Sequence, residues 1–118
     1  MKDTCEKRIG RKLESRIKDF KLALDGKYGE AIGDKSCKCE DFIDFINTYA
    51  LDYTDHTYFR AKSLGLSYGG PQDYFLFFED GTIEYHFLDW FDGAKIKLPE
   101  EGEDYKIMSE VRDKLNLE

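Results

Sequence analysis

Two Asp-Gly pairs, Asp80-Gly81 and Asp92-Gly93, stand twelve residues apart inside the stretch Gly69 to Lys95, GGPQDYFLFFEDGTIEYHFLDWFDGAK. An Asp-Gly between apolar segments is a strong local hairpin signal, because glycine takes a positive φ without a steric penalty. The flanking segments agree with it. Tyr74 to Phe78 is a short apolar run, and Thr82 to Leu88 alternates with the period of a half-buried strand. A two-residue loop at Asp80-Gly81 sets Phe78 opposite Ile83, Leu76 opposite Tyr85 and Tyr74 opposite Phe87. A three-residue loop with Gly81 as the bulge sets Phe77 opposite Ile83 and Phe75 opposite Tyr85. In both registers Ile83, Tyr85 and Phe87 share the more apolar face, with Glu84 and His86 on the other.

Asp92-Gly93 repeats the device and predicts a return through Ala94 to Leu98. A two-residue loop there joins Phe91 to Ala94, Trp90 to Lys95 and Phe87 to Leu98. It also leaves Asp89 beside Ile96 on the apolar face. A carboxylate in that position needs a partner. Arg60, Lys62, a tyrosine hydroxyl or a backbone N–H are the candidates, and the sequence does not choose among them.

The rest of the chain supplies helices. Residues 4–25 place Ile9, Leu13, Ile17, Phe20 and Leu24 within an arc of about 80° at 100° per residue, with lysines and arginines around the remainder. Asp3 or Thr4 can cap its start, and Gly26 is a natural stop. Residues 27–38 read as a loop or a short helical turn. A second helix is predicted over Glu40 to Tyr53, from the apolar set Phe42, Ile46, Tyr49 and Tyr53. Asp52 to His56 is a polar break, and Tyr58 to Tyr68 is extended. Gly69-Gly70-Pro71 turns the chain, Pro99 ends the sheet, and a final helix is predicted over Glu103 to Asn116. The expectation is one α+β domain: two N-terminal helices, an antiparallel meander of three or four strands, and a C-terminal helix, with helices covering one sheet face.

Composition narrows the functional classes. The chain of 118 residues carries a net charge of −7 and is 15% aromatic. Residues 1–36 hold ten basic and seven acidic side chains, whereas residues 37–118 hold eight and eighteen. An acidic protein is repelled by phosphate backbones, so direct nucleic-acid binding is disfavoured and a basic protein surface is the better partner. No apolar run after Met1 resembles a signal sequence or a membrane span, so a cytoplasmic location without membrane attachment is expected.

Site chemistry is sparse. Cys37-Lys38-Cys39, with Cys5 far away, lacks the four ligands and the wider spacing of a structural zinc site, and reduced thiols are expected. His56 and His86 are the only histidines. With Glu84, Asp89, Asp52, Asp55 or Asp92 they compose a conceivable carboxylate and imidazole site for a small hydrolase or a metal, although nothing in the spacing requires one. No catalytic, cofactor or metal residue is assigned. The aromatic surplus instead points to a recognition patch drawn from Tyr74, Phe75, Phe77, Glu84, His86, Asp89, Trp90 and Asp92, with aromatic anchors and an acidic rim. The same patch would serve a homodimer.

The series GGP-x-D-x-F-x-F in Gly69 to Phe77, EDG-x-IEY in Glu79 to Tyr85, and DWFDGAK in Asp89 to Lys95 resembles small bacterial proteins, some of them carried by phages and mobile elements. The resemblance spans about a quarter of the chain and names no activity. It implies a non-enzymatic inhibitor of a host defence system, of the anti-CRISPR or anti-restriction kind. Such a protein would act on a nucleic-acid-binding effector by occlusion or by nucleic-acid mimicry.

Overall fold

The computed structural model describes residues 4–34, 36–58, 60–69, 71–89 and 92–116. Among them the order is α1 (Cys5–Leu24), α2 (Tyr28–Ile32), α3 (Phe42–Tyr49), β1 (Asp52–His56), β2 (Ala61–Ser67), β3 (Gln72–Phe78), β4 (Ile83–Asp89), β5 (Asp92–Lys97) and α4 (Glu103–Leu115). Each strand pairs antiparallel with the next, giving one sheet in the order β1-β2-β3-β4-β5. The α+β class stands as expected. The counts do not: the described residues hold five strands, against the three or four expected, and four helices, against three.

Helix α2 is the short helical turn that residues 27–38 allowed, and the extra strand comes from a polar segment. Asp52 to His56, expected as a break, is edge strand β1, paired only with β2, and edge strands tolerate charge because one side meets water. The second helix therefore cannot reach Tyr53. It ends at Tyr49, where Ala50 is extended (φ −94°, ψ 155°) and the Leu51 N–H donates to the Gly65 carbonyl at 2.8 Å. Tyr53 fitted the helical period by coincidence. Its ring packs edge-on to Phe77 from the strand instead.

Helix α1 matches its sequence signals closely. Thr4 Oγ1 accepts from the Lys7 N–H at 3.3 Å. At the far end Gly26 takes φ +81°, the Gly26 N–H donates to Ala23 O, and the Lys27 N–H donates to Leu22 O, a Schellman closure. Ile9, Leu13, Ile17 and Phe20 are buried.

The first hairpin adopts the three-residue form. Phe77 faces Ile83 and Phe75 faces Tyr85, with Gly81 at φ +94° and the Thr82 N–H held by Asp80 Oδ1 at 2.9 Å. The second hairpin differs from the expected one. Asp89 faces Asp92, Leu88 faces Gly93, Phe87 faces Ala94 and Tyr85 faces Ile96, so Phe87 does not meet Leu98 and Asp89 does not sit beside Ile96. The pairings expected of Trp90 and Phe91 lie outside the described residues. Asp92-Gly93 begins strand β5 here, and Asp92 has a tertiary contact that a turn would not provide. Asp92 Oδ2 accepts the Cys5 N–H at 2.8 Å. The slip is an even number of residues, so side chains keep their faces and Asp89 stays on the covered one.

That covered face carries Leu64, Phe75, Phe77, Ile83, Tyr85 and Phe87, which form one core with Ile9, Leu13, Ile17 and Phe20 of α1, Phe42, Phe45 and Ile46 of α3, and Met108 and Val111 of α4. The opposite face presents Asp52, Thr54 and His56 of β1, Ala61, Ser63 and Gly65 of β2, Tyr74, Leu76 and Phe78 of β3, Glu84, His86 and Leu88 of β4, and Lys95 and Lys97 of β5. Ala61 and Leu76 are buried there but lie outside the helix-packed core.

Candidate partner-binding surface

The residues singled out from the sequence divide between the two faces. Phe75 and Phe77 are 0% and 3% exposed on the covered face, so neither can anchor a partner while the helices stay seated. Asp89 is on that face too, and its carboxylate accepts from Arg8 Nη1. The Asp89 partner is thus a guanidinium from α1, outside the set that the strand neighbours offered. Asp92 turns toward the start of α1. Its Oδ2 takes the Cys5 N–H at 2.8 Å and its Oδ1 the Gly93 N–H at 2.9 Å. A carboxylate there meets the partial positive charge of a helix N-terminus. The hydrogen bond from the Cys5 N–H, ahead of a smaller opposing effect of desolvation, holds the Asp92 carboxyl below its ordinary range. Trp90 lies outside the described residues.

A buried polar cluster went unnoticed in the sequence. Asp73 is 0% exposed. It receives a two-pronged contact from Arg16, Nε to Oδ2 at 2.8 Å and Nη2 to Oδ1 at 3.0 Å, together with the Tyr85 hydroxyl at 2.6 Å and the Ser67 hydroxyl at 2.5 Å. Arg16 Nη1 donates on to the Tyr49 hydroxyl at 2.9 Å, which donates to Asp19 Oδ2 at 2.6 Å. Burial pushes the Asp73 carboxyl upward, but the bonds from Arg16, Ser67 and Tyr85 win and its pKa is lowered. Burial, then the bond to Asp73, pushes the Tyr85 phenol far above its ordinary value. Among the described residues no buried side-chain nitrogen or oxygen lacks a hydrogen-bond partner, this cluster included, as a fixed structural clamp requires. The sequence did carry a signal for it: Asp73 shares strand parity with Phe75 and Phe77, the rule that picked out Asp89.

On the open face Tyr74, Glu84 and His86 come together. Tyr74 faces His86 across β3 and β4 and stacks on it, with centroids 5.0 Å apart and planes within 13°. His86 Nε2 lies 2.9 Å from Glu84 Oε1. Burial, then the Glu84 charge, raises the Tyr74 phenol. Lys95 and Lys97 of β5 stand opposite His86 and Glu84, and a shallow hollow of about 250 Å³ opens at His86, Leu88, Gly93 and Lys95.

At the other end of this face Tyr68 folds back over Gly65 and donates to Asp52 Oδ2 at 2.6 Å. That bond is the main reason its phenol is pushed up to about 12. Tyr68 remains 49% exposed, with Leu51 at 58% beside β1. An added Cβ at position 65 would stand 2.4 Å from the Tyr68 hydroxyl, so the strand glycine is what admits the ring.

Of the conceivable carboxylate and imidazole site only Glu84 and His86 come together. Asp89 faces the helices, Asp55 shares the covered face, and His56 lies on β1, three strands from β4, with its Nε2 2.8 Å from Ser63 Oγ. Among the described residues no three His, Cys, Asp or Glu side chains gather as a metal site would need. A larger cleft, about 520 Å³, lies near Tyr53, Lys62, Arg112 and Asn116. Two of its cations have neighbours, Lys62 with Asn116 at 3.4 Å and Arg112 with Ser109 at 2.9 Å. No described helix is long and apolar enough to cross a membrane.

Compared with known proteins, the chain matches no family model, no curated protein and no solved structure.

Proposed function

We propose that this is a non-enzymatic binding module whose open sheet face occupies a basic surface on a partner protein. The observation that carries the reading is the Tyr74–His86 stack with Glu84 at its side, on the face away from the helix-packed core. Stacked aromatics offer contact area at small entropic cost, and a carboxylate at their rim selects for cations. Asp52 and Tyr68 extend the same chemistry toward β1. Lys95 and Lys97 border it on β5 and repel a basic partner there, which sets the direction of approach. The net charge of −7 steers the encounter.

Within the inhibitor class that the motif resemblance implies, such a module would act by covering the basic channel of a nucleic-acid-binding effector. A pull-down from the host, followed by affinity measurements on the captured protein, tests the reading. Affinity should fall steeply as salt rises, and should fall at least tenfold when Tyr74→Ala, Glu84→Gln and His86→Ala are combined. A partner that binds this triple variant as well as the wild type at every salt concentration removes the proposal.

A further inference from the structure

The loop between α2 and α3 holds a feature that the open face does not use. Cys37 Sγ and Cys39 Sγ lie 2.9 Å apart, both half-buried. That is less than about 1 Å beyond an S–S bond of about 2.05 Å. Two sulfurs sharing a tetrahedral zinc ion on bonds of about 2.3 Å would instead stand about 3.8 Å apart, so the spacing favours a covalent link over a chelate. Access is present as well. A hollow of about 340 Å³ opens onto the pair, lined by Ile32, Asp34, Lys38 and Thr48 among others.

We propose that Cys37 and Cys39 form a reversible dithiol–disulfide pair that exchanges with low-molecular-weight disulfides of the glutathione class. The Cys39 N–H points at Cys37 Sγ from 3.4 Å and stabilises negative charge there, which makes Cys37 the attacking sulfur. Its thiolate attacks one sulfur of the small disulfide, forming a mixed disulfide and releasing one small thiolate. Cys39, having given up its proton, then attacks Cys37 Sγ. The Cys37–Cys39 bond forms and the second small thiolate leaves. Two protein thiols are oxidised, one small disulfide is reduced to two thiols, and the two cysteine protons end on them. With only Lys38 between the cysteines, the ring is small and strained, so the bond reopens readily when reduced thiol is added.

The test is alkylation and mass spectrometry of the folded chain after equilibration with glutathione disulfide, and separately with uncharged hydroxyethyl disulfide. Before oxidation Cys37 and Cys39 should be modified under native conditions, while Cys5, 1% exposed, should react only after unfolding. After oxidation with either reagent both reactive thiols should vanish together, leave no adduct, and yield a single peptide linking Cys37 to Cys39. Reduced glutathione should restore them. Cys37→Ser and Cys39→Ser should each stop at a stable glutathione adduct. Persistent adducts on the wild type, disulfide-linked dimers, or stoichiometric zinc that blocks closure would each overturn the proposal. Peptide mapping of the wild type decides the matter even if a serine variant fails to fold.

Discussion

On the covered face of the sheet Asp73 gives both carboxylate oxygens to Arg16 and takes two hydroxyls besides, whereas on the open face Glu84 meets His86, a neighbour on its own strand. The covered carboxylate was taken out of water and is compensated by contacts from three other elements or loops. The open one is served locally and stays within reach of solvent. The same alternation along β3 and β4 thus produces two kinds of acidic residue, one that holds helices in place and one that remains available. Residue type alone does not distinguish them; the face does.

Substitutions should separate the two kinds, beginning with Asp73. Asp73→Ala strands the Arg16 guanidinium in the interior and should cost about 3–5 kcal/mol in urea unfolding, against little change for Glu84→Gln. A loss under ~1 kcal/mol would mean that Arg16 swings out to water and that the clamp is dispensable. Tyr85→Phe keeps the ring but removes one hydroxyl from Asp73, an expected loss of about 1.5–3 kcal/mol. The pH dependence follows from the same carboxyl. Its folded pKa is depressed below an unfolded value of about 3.9. The stability it contributes is therefore complete above that value and is lost as pH falls through the folded pKa. Asp73→Asn should flatten that part of the acid unfolding curve, and an unchanged slope would place the acid sensitivity elsewhere.

The open face should yield smaller numbers. His86→Ala removes a stacked ring from Tyr74 and should cost about 1 kcal/mol, which thermal or urea melts can resolve. Smallest in stability, below ~1 kcal/mol, is Gly65→Ala, because the atoms it meets are the ends of the movable Tyr68 and Asp52 side chains. Its readout is spectroscopic. With Tyr68 displaced from Asp52, the phenol that titrates near 12 should return toward about 10 in ultraviolet titration. A phenol that stays at the higher value would show that the ring keeps its place.

The comparison also explains what the sequence could reveal. Local rules worked where the structure answers to local chemistry. Thr4 and Gly26 bound α1, Asp80-Gly81 makes a hairpin, and strand parity puts Asp89 among apolar neighbours. They failed where a distant residue decides. Asp92-Gly93 looks like a turn until the Cys5 N–H, 87 residues away, takes Asp92 as its acceptor. Asp73 looks like a solvated strand residue until Arg16, 57 residues earlier, arrives. β1 was missed for a further reason. An edge strand with water on one side needs little apolar alternation, so DYTDH carries none of the pattern by which strands are recognised. The recognition patch suffered from the same blindness to faces, mixing the buried Phe75 and Phe77 with the half-buried Tyr74 and His86.

The contacts of α1 with Asp73, Asp89 and Asp92 carry a consequence for biosynthesis. This helix leaves the ribosome before the sheet it packs on, and Arg8 and the Cys5 N–H find their acceptors only at positions 81 and 87 residues further on. At about 5–20 residues per second, the wait for Asp92 is on the order of 4–17 s. During that interval the apolar stripe of Ile9, Leu13, Ile17 and Phe20 lacks the complete sheet that covers it in the fold, and a chaperone that binds amphipathic helices can compete for it. A helix that precedes the sheet in the chain thus gains these two contacts only once the end of β4 and the start of β5 are made. A chain stopped before Asp89 would hold β1, β2 and β3 complete and still lack the acceptors that fasten the first turns of α1.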